Sequence, residues 1–246
     1  MLSKTQVKYI QSLGHKKCRD EEDLFLAEGP KIVKELLSSK NITIRQIYAV
    51  NSWIRNNPAV SVGVSEITEQ ELERISQLKT PNQVIAIVEK IKWKDEPDYK
   101  EKVSLVLDSI QDPGNFGTII RLADWFGIKQ IICSPNCADV YNPKVVQSSM
   151  GSITRVQIEY TDLLHFLMKN KEIKIYAAKL EGISITKIGK LKEGFIVIGN
   201  ESKGISPEIS NLPSVSITIP GNGEAESLNA AVATGIILSH ISHSTL

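Results

Sequence analysis

The chain has 246 residues and a mass of 27.2 kDa, which suffices for one large domain or two small ones. Hydrophobic residues make up 41% and charged residues 23%, and this balance excludes wholesale disorder, collagen and coiled coil. No apolar run approaches the ~18 residues of a membrane span, and the first residues lack a secretory apolar core, so we expect a cytoplasmic protein. The sparse, odd set of cysteines (Cys18, Cys133 and Cys137) predicts neither a disulfide framework nor a metal site, but reduced and inert thiols.

The basic side chains are concentrated at the start of the chain. The formal net charge is only +1, yet residues 1–92 carry 14 basic and 11 acidic side chains. The cations that precede the first acid, Asp20, are Lys4, Lys8, Lys16, Lys17 and Arg19. Such a basic stretch suits a polyanion such as nucleic acid, although a solvated basic helix would have the same composition.

The first 92 residues mix helix and strand. Periodicity and turn residues predict helices at 5–13, 31–37 and after Thr68, and strands at 47–50 and 84–88. Thr68 and Glu71 have the spacing of a capping box, which marks a helix start. The stretch 93–102 is charged and interrupted by Pro97, so we interpret it as an interdomain linker.

After the linker, short Val- and Ile-rich runs alternate with helical patterns, which predicts an α/β domain with a parallel sheet over residues 103–246. The expected strands are 103–107, 130–133, 173–178, 195–198 and 215–219. The expected helices are 118–126, 143–150, 161–170 and 228–242.

The common nucleotide-binding motifs are absent from the sequence. The string G-x-G-x-x-G does not occur, because Glu226 stands where the third glycine belongs after Gly221 and Gly223. Gly199 and Gly204 have phosphate-loop spacing, but Ile205 replaces the required lysine. G-x-S-x-G and H-E-x-x-H are also missing. Dinucleotide-dependent dehydrogenation, ATP hydrolysis and the common hydrolases are therefore poorly supported.

Three polar loops each follow a predicted strand. The first leads into an apolar helix whose only cation is Arg121, and this charge requires an anion, a cavity or a local pair with Asp124. Gly127 marks the end of that helix. The second loop carries Glu201 beyond a strand end, where ligands of open α/β sheets bind. The third is glycine-rich and leads into an apolar last helix, for which Ser227 is the expected N-cap.

In order and spacing, these loops resemble the three signature motifs of the SpoU (TrmH) family of RNA ribose methyltransferases. The matches are N-x-G-x-I-x-R-x-A at 115–123, G-x-E-x-x-G-I-S at 199–206 and the I-P to S-L-N-x-x-x-A segment at 219–233. The segment 142–156 also looks like the family, and 25–37 resembles its substrate-binding domain.

The resemblance implies a SPOUT-type parallel-sheet domain with a C-terminal trefoil knot, preceded by a small α/β RNA-binding domain similar to certain ribosomal proteins. It further implies a homodimer in which both subunits complete each site, a role that the apolar last helix fits. The implied substrate is RNA, with ribosomal RNA favoured over transfer RNA by family association alone.

The resemblance also assigns functional residues. S-adenosylmethionine is expected against Gly199, Ile219 and Leu228, with Leu180, Pro220 and Gly221 nearby; many relatives have methionine at the position of Gly221. The catalytic and RNA-contacting set is Asn115, Arg121, Glu201, Ser227 and Asn229, and no metal is needed. We expect Lys4, Lys8, Lys16, Lys17 and Arg19 to bind RNA phosphates.

The roles expected of the catalytic set follow from the chemistry of methyl transfer to a ribose 2′-hydroxyl. In the family the residue matching Arg121 has been proposed to deprotonate the hydroxyl, but a guanidinium stays protonated in proteins, so that role requires help from a nearby phosphate. We prefer the expectation that Arg121 binds phosphate and stabilises the developing alkoxide. Glu201 is expected to orient Arg121 or Asn115, and Ser227 and Asn229 to position the ribose and the knot loop. The alternatives left open are a transfer RNA enzyme, an RNA-binding relative without catalysis, and a methyltransferase that modifies a base.

Overall fold

The computed structural model describes residues 1–60, 63–93 and 95–242, and the chain forms two compact units. One unit contains Met1–Lys94 and Asp139–Thr154, and the other contains Asp95–Ala138 and Arg155–Leu246. The segment Asp139–Thr154, assigned by sequence to the second domain, therefore groups with the first unit. Residue 94 of the predicted linker lies outside the described residues.

The first unit is built on a mixed sheet. In chain order its first elements are α1 (Lys4–Ser12), α2 (Lys16–Glu22), β1 (Leu24–Glu28), α3 (Pro30–Ser38), β2 (Ile44–Ala49), α4 (Asn51–Asn56), β3 (Val64–Glu66), α5 (Glu69–Ile75) and β4 (Val84–Glu89). The strand order is β1-β4-β2-β3, with β4 antiparallel to β1 and β2, and β3 parallel to β2. The capping box of Thr68 and Glu71 at the start of α5 is confirmed.

Strand β1 was missed by sequence analysis. All of its side chains are buried, including the carboxylate of Glu28, so it lacks the alternation that marks a half-exposed strand. Glu28 accepts hydrogen bonds from the Ser76 hydroxyl (2.5 Å) and the Gln77 amide (2.8 Å), which tie the strand to the end of α5. Burial raises the pKa of Glu28 despite these donors.

The inserted segment is held by aromatic and ionic contacts within the first unit. Its Tyr141 ring lies 4.8 Å from that of Phe25, and its hydroxyl accepts a hydrogen bond from the Ile91 amide at 2.8 Å. Asp139 pairs with Arg19. Such long-range contacts explain why a segment late in the chain belongs to the first unit.

The remaining elements follow in chain order. They are β5 (Val103–Leu107), α6 (Pro113–Trp125), β6 (Gln130–Cys133), α7 (Pro143–Ser149, in the inserted segment), β7 (Gln157–Tyr160), α8 (Leu163–Lys169), β8 (Ile175–Ser184), β9 (Gly194–Ile198), α9 (Pro207–Ser210), β10 (Val215–Thr218) and α10 (Ala230–Ser242). The strands form a parallel sheet in the order β10-β8-β9-β5-β6-β7 among the described residues. The predicted α/β class with a parallel sheet is confirmed; the knot stays a prediction.

One irregularity of this sheet matters for the site. Along β10, Ser216 pairs with Ala177 of β8, but the next residue, Ile217, pairs with Ile183. The intervening residues 178–182 of β8 bulge out of register, and Leu180 lies at their centre. A Cβ on Gly182 would lie 2.5 Å from the Ser216 carbonyl oxygen, so the bulge requires glycine there.

Candidate functional site

The first loop positions Asn115 in the opening turn of α6. The helix begins at Pro113, five residues earlier than predicted, because Asp112 caps it by accepting a hydrogen bond from the Asn115 amide at 2.7 Å. Gly127 follows the helix in the left-handed conformation, at φ +75°, and so confirms the predicted stop.

The second loop folds back on itself at the end of β9. Asn200 and Gly204 exchange backbone hydrogen bonds of 3.0 and 2.9 Å. A Cβ on Gly199 would lie 2.3 Å from the Gly204 carbonyl carbon, and Gly204 itself has φ +68°. The two motif glycines therefore allow this tight closure, which projects Glu201 from the strand end.

A chain of side-chain hydrogen bonds joins the three loops. The Asn115 amide nitrogen Nδ2 donates to Glu201 Oε1 at 2.7 Å, and Asn229 Nδ2 donates to Asn115 Oδ1 at 2.9 Å. These residues come from β5–α6, β9–α9 and β10–α10 connections, so the network gathers at the carboxyl ends of parallel strands. The sequence left open whether Glu201 orients Arg121 or Asn115, and the structure shows that Asn115 is its partner.

The last helix is capped by Asn229, so the prediction of Ser227 as its N-cap is wrong. Asn229 Oδ1 accepts hydrogen bonds from the Ala231 and Val232 amides at 3.0 and 3.2 Å. With one end of its carboxamide on the helix and the other on Asn115, Asn229 has a fixed orientation. Ser227 is exposed and forms no hydrogen bond with the described part of the chain.

Arg121 is exposed on α6, and no acid within residues 1–60, 63–93 and 95–242 pairs with it. The local pair with Asp124 does not form, because Asp124 Oδ2 accepts a hydrogen bond from Arg155 Nε at 2.9 Å. At 1.5 Å per residue, Arg121 lies about 9 Å along the helix axis from Asn115. Its charge is therefore available to an external anion.

The residues expected at S-adenosylmethionine lie on three adjacent strands. Leu180 is on the bulge of β8, Gly199 follows β9, and 219–221 follow β10, and the sheet order places these strands side by side. Leu180 is 75% exposed and Leu228 46%, so both side chains are accessible to a ligand. Thr218 Oγ1 donates to the Leu180 carbonyl at 2.8 Å and secures the bulge. Exposed apolar side chains beside strand-end backbone fit an adenosyl group.

Sequence analysis missed Asp108, which couples the first two loops. This buried carboxylate follows β5 and accepts hydrogen bonds from the Ser206 amide (2.7 Å) and the Ser109 hydroxyl (3.2 Å). Asn200 Nδ2 also donates to the Ser109 carbonyl at 2.8 Å. A carboxylate directly after a strand whose last three residues are apolar and buried was the signal that could have identified it.

The buried thiols support the first loop. Cys137 Sγ accepts a hydrogen bond from the Ile110 amide at 3.3 Å and donates to the Leu107 carbonyl at 3.2 Å. A hydrogen bond from Cys133 is the main cause that lowers the pKa of Cys137 to about 7, while burial raises the pKa of Cys133. Both cysteines are free.

The basic stretch is folded rather than extended, and one of its predicted RNA contacts is wrong. Arg19 is 2% exposed; its guanidinium donates to the Leu13 and Gly14 carbonyls and pairs with Asp139 at 2.5 Å, all within the first unit. A buried, paired arginine cannot bind RNA phosphate. Lys16 and Lys17 are exposed, and each pairs with an acid one helical turn further along the chain. Lys16 Nζ lies 2.5 Å from Asp20 Oδ2, and Lys17 Nζ lies 3.8 Å from Glu21 Oε1.

Lys4 and Lys8 are exposed one turn apart on α1, and neither has an ion pair among the residues that the structure describes. They are the members of the basic stretch best suited to an external polyanion.

An apolar groove of about 390 Å³ lies between α6 and α10 in the second unit. Asn115 and Asn229 stand at its polar end, and Leu122, Val232 and Ile236 line the rest. Val232 is 51% exposed and Trp125, one turn beyond Leu122, is 81% exposed. The apolar α10 is therefore not fully covered by the described residues of its own unit, and its role in a subunit interface stays a prediction.

Among the described residues, no group of three or more His, Cys, Asp or Glu side chains is arranged to hold a metal ion. The same residues include no helix long and apolar enough to cross a membrane.

Comparison with known proteins gives matches along nearly the whole chain. Residues 102–239 match the SpoU rRNA Methylase family and residues 4–86 the MRM3-like substrate binding domain. The 23S rRNA (guanosine(2553)-2'-O)-methyltransferase RlmP of Bacillus subtilis (strain 168) is 28% identical over 239 residues, covering 96% of this chain and 95% of that protein.

Two solved structures have the same fold. The AdoMet-bound rRNA methyltransferase from Sinorhizobium meliloti is 30% identical, with a TM-score of 0.84 over 98% of this chain and 96% of its own. The SpoU methyltransferase AviRb from Streptomyces viridochromogenes, in complex with AdoMet, is 24% identical, with a TM-score of 0.85 over 98% and 97%.

The family match over the parallel-sheet unit, together with the substrate-binding-domain match before it, identifies an RNA methyltransferase. The chain belongs to the SpoU rRNA methylase family, whose sequence profile covers more than half of it. The resemblance inferred from the three motifs is thus confirmed.

Proposed function

We propose that this chain transfers a methyl group from S-adenosylmethionine to a ribose 2′-hydroxyl of ribosomal RNA. The similarity to the B. subtilis 23S rRNA 2'-O-methyltransferase, which extends over both units, supports this substrate. The AdoMet bound to the S. meliloti relative supports the methyl donor. We propose the cytoplasm as the chain's site of action.

The hydrogen-bonded chain Glu201–Asn115–Asn229 is the observation that carries the proposal. It brings one residue from each motif to the strand ends and fixes the orientation of two carboxamides. Asn115 and Asn229 use both of their side-chain polar atoms within the network or on the α10 backbone, so these two carboxamides position the loops rather than attack a bond.

Arg121 supplies the charge that the reaction needs. When bound, S-adenosylmethionine supplies an electrophilic methyl group on a sulfonium sulfur. The hydroxyl oxygen becomes negative as it loses its proton, and the exposed guanidinium of Arg121 stabilises that charge while it holds an adjacent RNA phosphate. The proton passes to solvent or to phosphate oxygen, because a guanidinium that remains protonated does not accept it.

The site residues Leu180, Gly199, Ile219 and Leu228, with Pro220 and Gly221, hold the donor. Leu180 and Leu228 offer apolar surface to the adenosine and methionine parts of the donor. The backbone beside Gly199 and Ile219 offers hydrogen bonds. Gly221 has open space around its Cβ position, so a glycine there widens the pocket where many relatives have methionine.

The functional form is a homodimer assembled through the groove between α6 and α10. Val232, Leu122 and Trp125 present apolar surface that a second copy of α10 covers. The polar end of the groove, with Asn115 and Asn229, then lies beside the partner. Because Arg121 makes no contact with Glu201 of its own subunit, we assign it to a site that both subunits complete.

The test is transfer of tritium from labelled S-adenosylmethionine to deproteinised ribosomal RNA, followed by mapping of 2′-O-methyl positions. Wild type is expected to label one ribose position, and Arg121→Ala to lose at least 100-fold in kcat while its affinity for S-adenosylmethionine stays within a few-fold. Arg121→Lys serves as the matched variant, because it keeps the positive charge but loses the planar guanidinium that can bind a phosphate through two hydrogen bonds.

Three outcomes would replace the proposal. RNA binding without transfer indicates a relative that has lost catalysis. Labelled product that resists ribose-specific mapping indicates base methylation. Transfer to transfer RNA in preference to ribosomal RNA changes the substrate but not the reaction.

A further inference from the structure

A second cavity lies in the unit formed by Asp95–Ala138 and Arg155–Leu246, at the opposite end of the parallel strands from the motif loops. Its volume is about 260 Å³, and its walls include the residues that precede β5, β6 and β9. Four lysines line it, namely Lys102, Lys129, Lys190 and Lys192, together with one acid, Glu101.

The concentration of lysine there runs against the overall charge of the domain. Residues 95–138 and 155–246 carry 13 basic and 16 acidic side chains, so this unit as a whole has a negative charge. A cluster of four cations around one concavity is therefore a local feature rather than a consequence of composition.

Three of these lysines have no internal partner for their ammonium groups. Lys102 pairs with Asp98 at 2.8 Å, but the side chains of Lys129, Lys190 and Lys192 form no ion pair or hydrogen bond with the described residues. They do not cap α6 either, because the backbone of Gly127 and Ile128 already bonds the last carbonyls of that helix. Their charges are thus free for an external anion.

We propose that this lysine cavity binds phosphate groups of the RNA substrate at a second point, remote from the reacting ribose. This inference rests on the proposed function. The separation fits an extended substrate, because β5 and β9 each have five residues and therefore set the two ends of the strands about 17 Å apart. The cavity is large enough for a phosphate with attached water. Binding there would increase affinity and fix the direction of the RNA without contributing to the chemical step.

The experiment compares two double variants that remove equal charge. Lys190→Gln with Lys192→Gln empties the cavity of two cations, whereas Lys169→Gln with Lys171→Gln removes two exposed lysines with the same spacing that do not line it. Lys190→Arg with Lys192→Arg keeps the cavity charge. Full-length proteins are titrated with deproteinised ribosomal RNA between 50 and 200 mM salt, and methyl transfer is measured in parallel.

The cavity variant is expected to bind RNA at least fivefold more weakly and to reduce the slope of log K against log salt by about 1.5. Its KM for RNA rises while kcat and the affinity for S-adenosylmethionine remain those of wild type, and the arginine variant restores binding. If the cavity variant and the Lys169, Lys171 variant weaken RNA binding equally, or if neither weakens it, the inference is overturned. Methyl transfer by wild type would in that case still support the proposed function. Failure of wild type to bind RNA would overturn both. An acidic protein partner, instead of RNA, would leave the RNA slope unchanged.

Discussion

Asn229 Nδ2, in the third motif, donates a 2.9 Å hydrogen bond to Asn115 Oδ1, in the first motif, 114 residues earlier in the sequence. The same carboxamide caps α10 with its oxygen. One residue therefore links the start of the last helix to the polar network, and its two functions can be separated by substitution.

Asn229→Asp is expected to keep the cap, since aspartate is as good an N-cap as asparagine, and to hold the free energy of unfolding near that of wild type. It replaces the donor Nδ2 with a carboxylate oxygen that faces Asn115 Oδ1. Because two acceptors then meet with no proton between them, the network is broken and methyl transfer falls at least tenfold.

Asn229→Ala loses the cap as well, and its free energy of unfolding falls by about 1 kcal/mol. Denaturant unfolding and transfer assays on both variants check this. Equal activity of Asn229→Asp and wild type would contradict the role of the network.

Gly199 and Gly221, both assigned to the cofactor site, differ in their surroundings. A Cβ at Gly199 would overlap the Gly204 backbone, whereas a Cβ at Gly221 would meet nothing within 4 Å. Gly199→Ala should open the second loop, lower the melting temperature and weaken S-adenosylmethionine binding at least tenfold. Gly221→Ala should preserve the melting temperature. Calorimetry with and without S-adenosylmethionine measures both, and a tolerant Gly199→Ala would disprove the tight closure.

The homodimer predicts a specific effect of charge in the apolar groove. Val232→Glu is expected to convert the protein to monomers in sedimentation experiments and to abolish transfer, because a carboxylate in the interface would be desolvated. Met168→Glu, on another exposed apolar residue of the same unit, is the control and should remain dimeric. Wild type that sediments as a monomer at micromolar concentration would refute the interface.

The basic residues of the first unit fall into two groups that salt dependence distinguishes. Lys4→Gln with Lys8→Gln should lower the slope of log K for RNA against log salt by about 1.5 and leave folding intact.

Arg19→Met should leave that slope unchanged and lower the free energy of unfolding by about 3 kcal/mol, because Asp139 loses its buried partner. If Arg19→Met reduced the slope without loss of stability, its assignment to the interior would be untenable.

The buried Glu28 makes the stability of the protein depend on pH. Its ordinary pKa of 4.5 is raised in the folded state by burial. As pH rises above about 4.5 the unfolded chain releases this proton first, so the free energy of unfolding of wild type decreases relative to Glu28→Gln until pH passes the raised pKa.

Chemical denaturation from pH 4 to 8 measures that difference. Glu73 is exposed, so Glu73→Gln is the control, and its free energy of unfolding should depend on pH in the same way as that of wild type. A wild type that gains stability over Glu28→Gln as pH rises would contradict the shift.

Local sequence determined the alternation of strand and helix, the capping box of Thr68 and Glu71, the stop at Gly127 and the order of the three motif loops, because each depends on residues within a few positions of one another. The parallel sheet and the family followed from these patterns.

Only the tertiary structure decided that Arg19 is buried against Asp139, that Glu201 bonds Asn115 rather than Arg121, and that Asp108 joins two loops. These pairings connect positions about 90 or more residues apart, and charge or spacing along the chain contains no information about which side chains the fold brings within hydrogen-bonding distance. A basic residue looks the same in the sequence whether it faces solvent or a buried carboxylate; the desolvation that separates the two cases arises only on packing.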